Sequence, residues 1–203
     1  MAEDPYWNHN VAYHHVVLDA VPPFCADALD VGCGDGLLVR KLAAGRAKQV
    51  TGVDPSSRMI ELARSLGAQA PNTAYAEADF LTCELPEAGY DFVCSVTAIH
   101  HMDFTAALRK MAHLLRPGGR LVVISLAKNV TWTDWIVSGL GVPANHVCRL
   151  VRGEGAPDGM PVKESVMSWG EVRAAAREVL PGVRYRRHLL WRYSLVWTKP
   201  EAA

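Results

Sequence analysis

Leu29-Asp30-Val31-Gly32-Cys33-Gly34-Asp35-Gly36 joins an apolar run to a glycine-rich turn. Residues 28–31 read as a buried strand, and residues 37–44 as a helix stopped by Gly45. A turn of this kind brings backbone N–H groups and the positive end of a helix close to a ligand, because glycine lacks the Cβ that would block the approach. Alone it fits several nucleotide-like ligands, or a tight structural turn. The spacing narrows the choice. A dinucleotide fingerprint, G-x-G-x-x-G, needs its third glycine where Leu37 stands; here the glycines are Gly32, Gly34 and Gly36, with Asp30 just ahead of them. That disfavours a nicotinamide-dependent oxidoreductase. No Gly-Lys-Ser or Gly-Lys-Thr follows, so the triphosphate loop fails as well.

On either side, short β-rich runs alternate with amphipathic stretches, the pattern of βαβ units around a parallel sheet. Residues 49–53 form the next strand; Asp54-Pro55-Ser56-Ser57 then turns and caps a helix whose Met59, Ile60, Ala63 and Leu66 share one face before Gly67. A weaker strand over Thr73–Glu77 leads to Asp79-Phe80, and Tyr90–Val96 is a fourth strand. Asp103 caps a helix with Leu108, Met111 and Leu115 on one stripe, and Pro117-Gly118-Gly119 turns the chain into a strand over 120–127. Residues 128–164 show no period and read as an insertion or lid. Trp132 and Trp135 within it would either cover a substrate pocket or pack a loop helix. Ser168-Trp169-Gly170-Glu171 is a capping box opening a helix through Val179, and the runs 183–189 and 193–198 lie close enough to pair as an antiparallel hairpin.

The chain has 203 residues, half of them hydrophobic, and a formal net charge of zero. That is enough for one core, and it lacks the basic footprint of a nucleic-acid binder. A small-molecule partner fits better. Arg184, Arg186, Arg187 and Arg192 cluster near the end, where arginines alternating with apolar residues read first as the solvated face of a strand and second as an anion site. The five cysteines have no C-x-x-C spacing, no signal peptide precedes them, and no apolar run approaches the roughly 18–20 residues of a membrane span. The expectation is a soluble, cytoplasmic protein that binds no membrane; the oligomeric state stays open.

Four stretches in order carry a resemblance to the class I S-adenosylmethionine-dependent methyltransferases, particularly the small-molecule branch with the ubiquinone and menaquinone enzymes. They are residues 29–36, then Gly52-Val53-Asp54-Pro55-Ser56-Ser57-Arg58-Met59, then Ala78-Asp79-Phe80, then Arg116-Pro117-Gly118-Gly119. Tyr90-Asp91-Phe92-Val93-Cys94-Ser95 followed by Ile99-His100-His101 is similar to the family's fourth strand and the turn beyond it. The resemblance covers residues 26–127. It implies a Rossmann-like α/β fold, with a seven-stranded, mostly parallel sheet, an antiparallel C-terminal hairpin and helices on both faces. Residues 1–203 would then be one domain: a leader (1–25), a cofactor-binding half (26–127), an insertion or lid (128–167), and a C-terminal helix and hairpin (168–203).

The resemblance also implies a site for S-adenosylmethionine. Gly32, Cys33 and Gly34 would pass close to its methionine part, with Asp30 accepting from the amino group directly or through water. Asp54 would take both ribose hydroxyls; its structural alternative is a helix cap. Pro55 and Met59 would flank the adenine, Asp79 would accept from the adenine amino group unless it is a plain turn acid, and the Phe80 N–H would donate to the ring. Ser95 and Thr97 would face the methionine tail and the substrate. Leaders in such enzymes fold over the cofactor, which makes Tyr6, Trp7, Tyr13 and His14 lid candidates; the alternative is an amphipathic helix docked on the sheet.

Methyl transfer is an in-line displacement that mostly needs alignment. A general base matters where the nucleophile carries a proton, and His100, His101 and His14 are the candidates, against a positioning role for the His pair. A metal at His100-His101-Asp103 is not expected, since adjacent side chains diverge. Ser95-Val96-Thr97-Ala98 stands where exocyclic-amine methyltransferases carry Asp or Asn, Pro, Pro, then Tyr or Phe, which counts against nucleobase substrates. The expected activity is methylation of O, N or C on a small aromatic or heterocyclic metabolite in a biosynthetic setting such as natural-product tailoring. The alternative is a catalytically silent partner subunit or sensor that keeps the cofactor pocket.

Overall fold

The computed structural model describes residues 4–152, 155 and 165–201. Within the 128–167 stretch, residues 153–154 and 156–164 lie outside the described part, as do 1–3 at the start of the leader and 202–203 at the end. The strands are β1 (Cys25–Val31), β2 (Ala47–Asp54), β3 (Thr73–Glu77), β4 (Tyr90–Val96), β5 (Leu115–Ser125), β6 (Arg184–Arg187) and β7 (Tyr193–Thr198). They form one seven-stranded sheet in the order β3-β2-β1-β4-β5-β7-β6. β1 runs parallel to β2 and β4, and β4 parallel to β5, while β7 is antiparallel to both β5 and β6. This is the Rossmann-like methyltransferase architecture.

The helices α1 (His14–Ala20), α2 (Leu37–Ala43), α3 (Ser57–Leu66), α4 (Phe104–Leu114), α5 (Trp132–Arg152) and α6 (Trp169–Val179) complete the chain. Two hydrophobic clusters result. One joins β4 and β5 to α4 and α6 through Val93, Met111, Val123 and Val172; the other joins α1 and α2 to the sheet through Val17, Leu42, Val50 and Phe92. Strands covered on both faces read as continuous apolar runs, which is why Leu29, Val31, Phe92, Val93 and Cys94 are all sealed from solvent. Strand order reverses between β1 and β4. Ligands of open α/β sheets bind at the carboxyl ends of the strands at such a point.

Three differences from the sequence reading have physical causes. β5 begins at Leu115, not Arg120. Pro117-Gly118-Gly119 is absorbed into the strand beside a register shift between Tyr90 and Phe92, because Gly118 N–H donates to the Lys199 carbonyl and Lys199 N–H to the Gly119 carbonyl. Residues 132–152 form a helix despite Gly139, Gly141 and Pro143. Its start is held by Asp134, which accepts from the N–H groups of Val130 and Thr131. Trp132 and Trp135 are exposed on α5 and fulfil neither reading. The local signals hold: Ser56, Asp103 and Ser168 cap α3, α4 and α6, the last through a full capping box with Glu171.

Candidate active site

The turn after β1 is a cradle of left-handed backbone, with φ of 75° at Gly32, 52° at Gly34 and 73° at Gly36. The N–H groups of Gly32 and Cys33 both donate to the Val53 carbonyl, which ties the turn to β2. A Cβ on Gly32 would collide with the Ala98 side chain beyond β4. Gly32→Ala therefore combines a strained φ with a clash, and is expected to lose roughly 2–4 kcal/mol in urea unfolding.

The cradle opens on a cleft whose walls include Tyr6, Asn10, His14, Asp30, Gly34 and Val96. Asp30 is buried on β1, and the donor it has among the described residues is the Cys94 thiol, 3.5 Å from Oδ1. Loss of solvent, reinforced by Asp54 and Asp35 and opposed by Cys94, raises its carboxyl to about 7. A sealed carboxylate with one weak donor is short of hydrogen bonds and of positive charge. An ammonium group supplies both.

Asp54, at the end of β2, accepts from Gly34 N–H at Oδ2 (3.0 Å) and from Ser56 N–H at Oδ1 (2.9 Å). The two amides fix the carboxylate plane, and each oxygen keeps a lone pair for a vicinal diol. The helix cap itself is Ser56, so Asp54 braces the turn before α3 and does not cap it. Pro55 is exposed beside it, whereas Met59 is sealed from solvent, leaving Pro55 as the accessible partner of that pair. Asp79 is exposed and accepts from Leu81 N–H at 2.8 Å, a turn-acid geometry; Phe80 is buried with the Lys110 ammonium 5.1 Å from its ring centre.

Asp35, not singled out in the sequence, organises the cleft mouth. It accepts from the Tyr6 hydroxyl (3.0 Å) and Leu37 N–H (3.2 Å), and Arg40 lies 3.9 Å from its other oxygen. Burial, and then Asp35 itself, push the Tyr6 phenol well above its usual range, so Tyr6 stays a neutral donor. Asn8, Asn10, Val11, Leu37 and Leu38 also line the cleft. The available clue for Asp35 was its place between two glycines.

Several expectations need correction. Tyr13 is turned away from the cleft: its hydroxyl accepts from Leu190 N–H, and its ring lies 4.8 Å from that of His188. The Ser95 hydroxyl is buried and donates to the Val31 carbonyl at 2.8 Å, so it bridges strands instead of facing a ligand. Trp7 is buried in the hydrophobic cluster around α1 and is not on the cleft. His14 does line the cleft, but it accepts from the Lys41 ammonium at Nδ1 (3.2 Å), and burial together with Lys41 depresses it to about 3. A histidine so acidic makes a poor base. Thr97, at φ 56°, stays at the end of β4 with its hydroxyl donating to Asn10 Oδ1 at 2.7 Å.

His100 and His101 sit on a single 3-10 turn (Ile99–His101), their ring centres 4.2 Å apart. His100 Nδ1 is 3.2 Å from Ser125 Oγ, and Ser125 also hydrogen-bonds the Tyr193 side chain. A cavity of about 180 Å³ adjoins His100, Met102, Phe104, Val172 and Tyr193. Among the described residues no cluster of three His, Cys, Asp or Glu is placed to hold a metal, and no helix is long and apolar enough to cross a membrane.

A glycine cradle, an under-satisfied acid on β1 and an anchored acid on β2 thus stand together at the switch point of the sheet. The profile of the methyltransferase domain family matches residues 28–119. An uncharacterized methyltransferase of Mycobacterium tuberculosis is 37% identical over 208 residues, covering 97% of this chain and 99% of that protein. The chain belongs to the class I S-adenosylmethionine-dependent methyltransferases. A more distant match, 33% identical over 99 residues, covers 47% of this chain and 36% of the 27-O-demethylrifamycin SV methyltransferase of Amycolatopsis mediterranei. Among solved structures, the N-methyltransferase NodS of Bradyrhizobium japonicum with S-adenosylhomocysteine superposes with a TM-score of 0.64 at 18% identity, covering 96% of this chain and 89% of that one. The cyclase SpnF gives 0.69 at 15%, covering 97% and 87%. These two likenesses show the fold alone.

Proposed function

We propose that the chain methylates an O, N or C atom of a small aromatic or heterocyclic metabolite, with S-adenosylmethionine held across the ends of β1, β2 and β4. The observation that carries this reading is Asp30, a sealed carboxylate on the cleft wall whose missing partner has the chemistry of an amino-acid ammonium. Asp54 would hold the ribose, Pro55 and the segment around Asp79 and Phe80 the adenine, and Gly32 to Gly34 the methionine chain. Tyr6 and Asp35 would close the leader over the cleft and keep water out. Bound there, the cofactor supplies an electrophilic methyl group, and the chain's own task is to align a nucleophile with it.

His100 is the base candidate that the geometry favours over His14. The tautomer that donates Nδ1–H to Ser125 carries its basic lone pair on Nε2, and the neighbouring cavity combines Met102, Phe104, Val172 and Tyr193 with the polar Asp103 and Ser165, a lining suited to a substituted ring. A cytoplasmic enzyme of natural-product tailoring, acting without nucleic acid or membrane, fits the zero net charge and the partial likeness to the rifamycin enzyme. SpnF shares the fold, so the fold by itself does not carry the reaction.

The test has two parts. Calorimetry with S-adenosylhomocysteine should show binding, and transfer of a labelled methyl group into phenolic metabolites should be detected and be lowered roughly 10²–10⁴-fold by His100→Ala with cofactor affinity intact. Binding without transfer to any acceptor would instead select the silent partner subunit or sensor.

A further inference from the structure

Of the four arginines near the end of the chain, Arg187 and Arg192 do not lie on a solvated face. Arg187 is neutralised: it donates to Asp134 Oδ1 at 2.8 Å and lies 3.9 Å over the Trp169 ring. Arg192 is partly buried and, among the described residues, has no carboxylate in ion-pair range. Its protein partners are the Asn10 side-chain oxygen, reached by Nε (3.3 Å) and Nη2 (2.8 Å), and the Trp191 carbonyl, 3.4 Å from Nη1. Desolvation lowers it to about 10. It is still a cation at neutral pH.

Donors outnumber acceptors at this spot. Asn10 Oδ1 receives the Thr97 hydroxyl at 2.7 Å as well as both guanidinium bonds, so one amide oxygen with two lone pairs serves three donors. A guanidinium has five N–H groups, and the protein occupies three of them. The remaining fork suits a planar oxyanion, for which two parallel N–H···O bonds are the favoured geometry.

The position is also built. Trp191 takes a left-handed φ of 55°, a conformation that costs energy for a non-glycine residue and persists where its surroundings enforce it. Here the Trp191 indole N–H donates to the Ser138 carbonyl on α5 (2.9 Å), its ring meets His9 of the leader edge-on at 5.3 Å, and His188 N–H donates to the Arg192 carbonyl (2.7 Å). The clamped turn aims Arg192 at Asn10, which also takes the Thr97 hydroxyl. Asn10 lines the cofactor cleft, so Arg192 stands one side chain behind the end of β4, where an acceptor must lie to meet the methyl group.

We propose that Arg192, held in place by Asn10, binds a carboxylate carried by the methyl acceptor through its two remaining N–H groups, so that the substrate is an aromatic or heterocyclic acid. This rests on the methyltransferase reading and deepens it by assigning the acceptor a charge. The carboxylate anchors one end of the ring, and the methylated atom lies at the other end, toward the cleft.

Benzoate and its neutral analogue benzamide are the probes, titrated by ligand-observed NMR into full-length protein saturated with S-adenosylhomocysteine. Benzoate should bind at least tenfold more tightly than benzamide, Arg192→Gln should reduce that advantage to within twofold, and Arg192→Lys should retain part of it. Affinity for S-adenosylhomocysteine should stay within threefold in both variants. Equal binding of the two probes to the wild-type protein overturns the proposal without any variant having to fold. It is also overturned if Arg192→Gln weakens S-adenosylhomocysteine more than tenfold and leaves 5′-methylthioadenosine, which lacks the carboxylate, unaffected; the guanidinium then serves the cofactor. Failure of the wild type to bind S-adenosylhomocysteine strikes the methyltransferase reading instead, and the benzoate comparison repeated on the cofactor-free protein still decides whether Arg192 receives an anion.

Discussion

Asp54→Ala is expected to weaken S-adenosylhomocysteine binding by at least a hundredfold in calorimetry while leaving a folded protein. Two hydrogen bonds to a charged acceptor contribute about 1.5–3 kcal/mol each, and about 1.4 kcal/mol is a factor of ten. The substitution also releases the Gly34 and Ser56 amides that the carboxylate holds. Gly34 belongs to the cradle, so the loss reaches the methionine end of the site too. Asp54→Asn keeps one acceptor oxygen, and should fall between the two. An Asp54→Ala protein that binds within fivefold of wild type would remove the ribose from β2.

Asp30→Asn should move binding and stability in opposite directions. The carboxyl rises from 3.8 to about 7, chiefly because burial penalises its charge. A raised acid holds its proton in the folded state where the unfolded chain has lost it, so its contribution to stability is full below about pH 4 and is lost as pH rises through 7. The neutral amide avoids that loss. In urea unfolding the cofactor-free variant should therefore match wild type near pH 4 and exceed it by roughly 2–4 kcal/mol at pH 8. Its affinity for S-adenosylhomocysteine should drop roughly 10–100-fold, because the ammonium loses its counter-charge. In the wild type that affinity should climb between pH 6 and 8 as Asp30 ionises. A variant that gains no stability at pH 8, or loses no affinity, would mean that Asp30 is not an under-satisfied acid awaiting a cation.

The legible parts of the chain were those decided by neighbours in sequence. Ser56, Asp103 and Ser168 sit directly before the helices they cap, and β3 and β4 keep the bounds expected of them. The glycine cradle was legible for the same reason, since a run of positive φ is written into the glycines themselves. What misled was contact at long range. Pro117-Gly118-Gly119 reads as a turn until Lys199 pairs with it. Gly141 looks like a helix breaker, yet a Cβ there would strike the Leu189 carbonyl, so the glycine is what lets α5 pack against the turn before β7.

Side-chain roles divided in the same way. Acids near the ends of β1 and β2 could be placed because strand ends are readable. The sequence does not show that the Tyr13 and Ser95 hydroxyls are taken by Leu190 and Val31, partners 177 and 64 residues away. The arginines near the end differ from one another only through what each meets, Asp134 for Arg187 and Asn10 for Arg192. No periodicity in the sequence separates them.

The strand order has a temporal meaning. β7, the last strand in sequence, lies between β5 and β6, so β6 leaves the ribosome with no place in the sheet until the segment after it has been made. β1 to β4, with Asp30 and Asp54, pair among themselves earlier, while Arg192 and Tyr193 take their places when the hairpin closes. The strands that carry Asp30 and Asp54 can thus pair before the chain is complete, whereas the turn that carries Arg192 waits for the last strand.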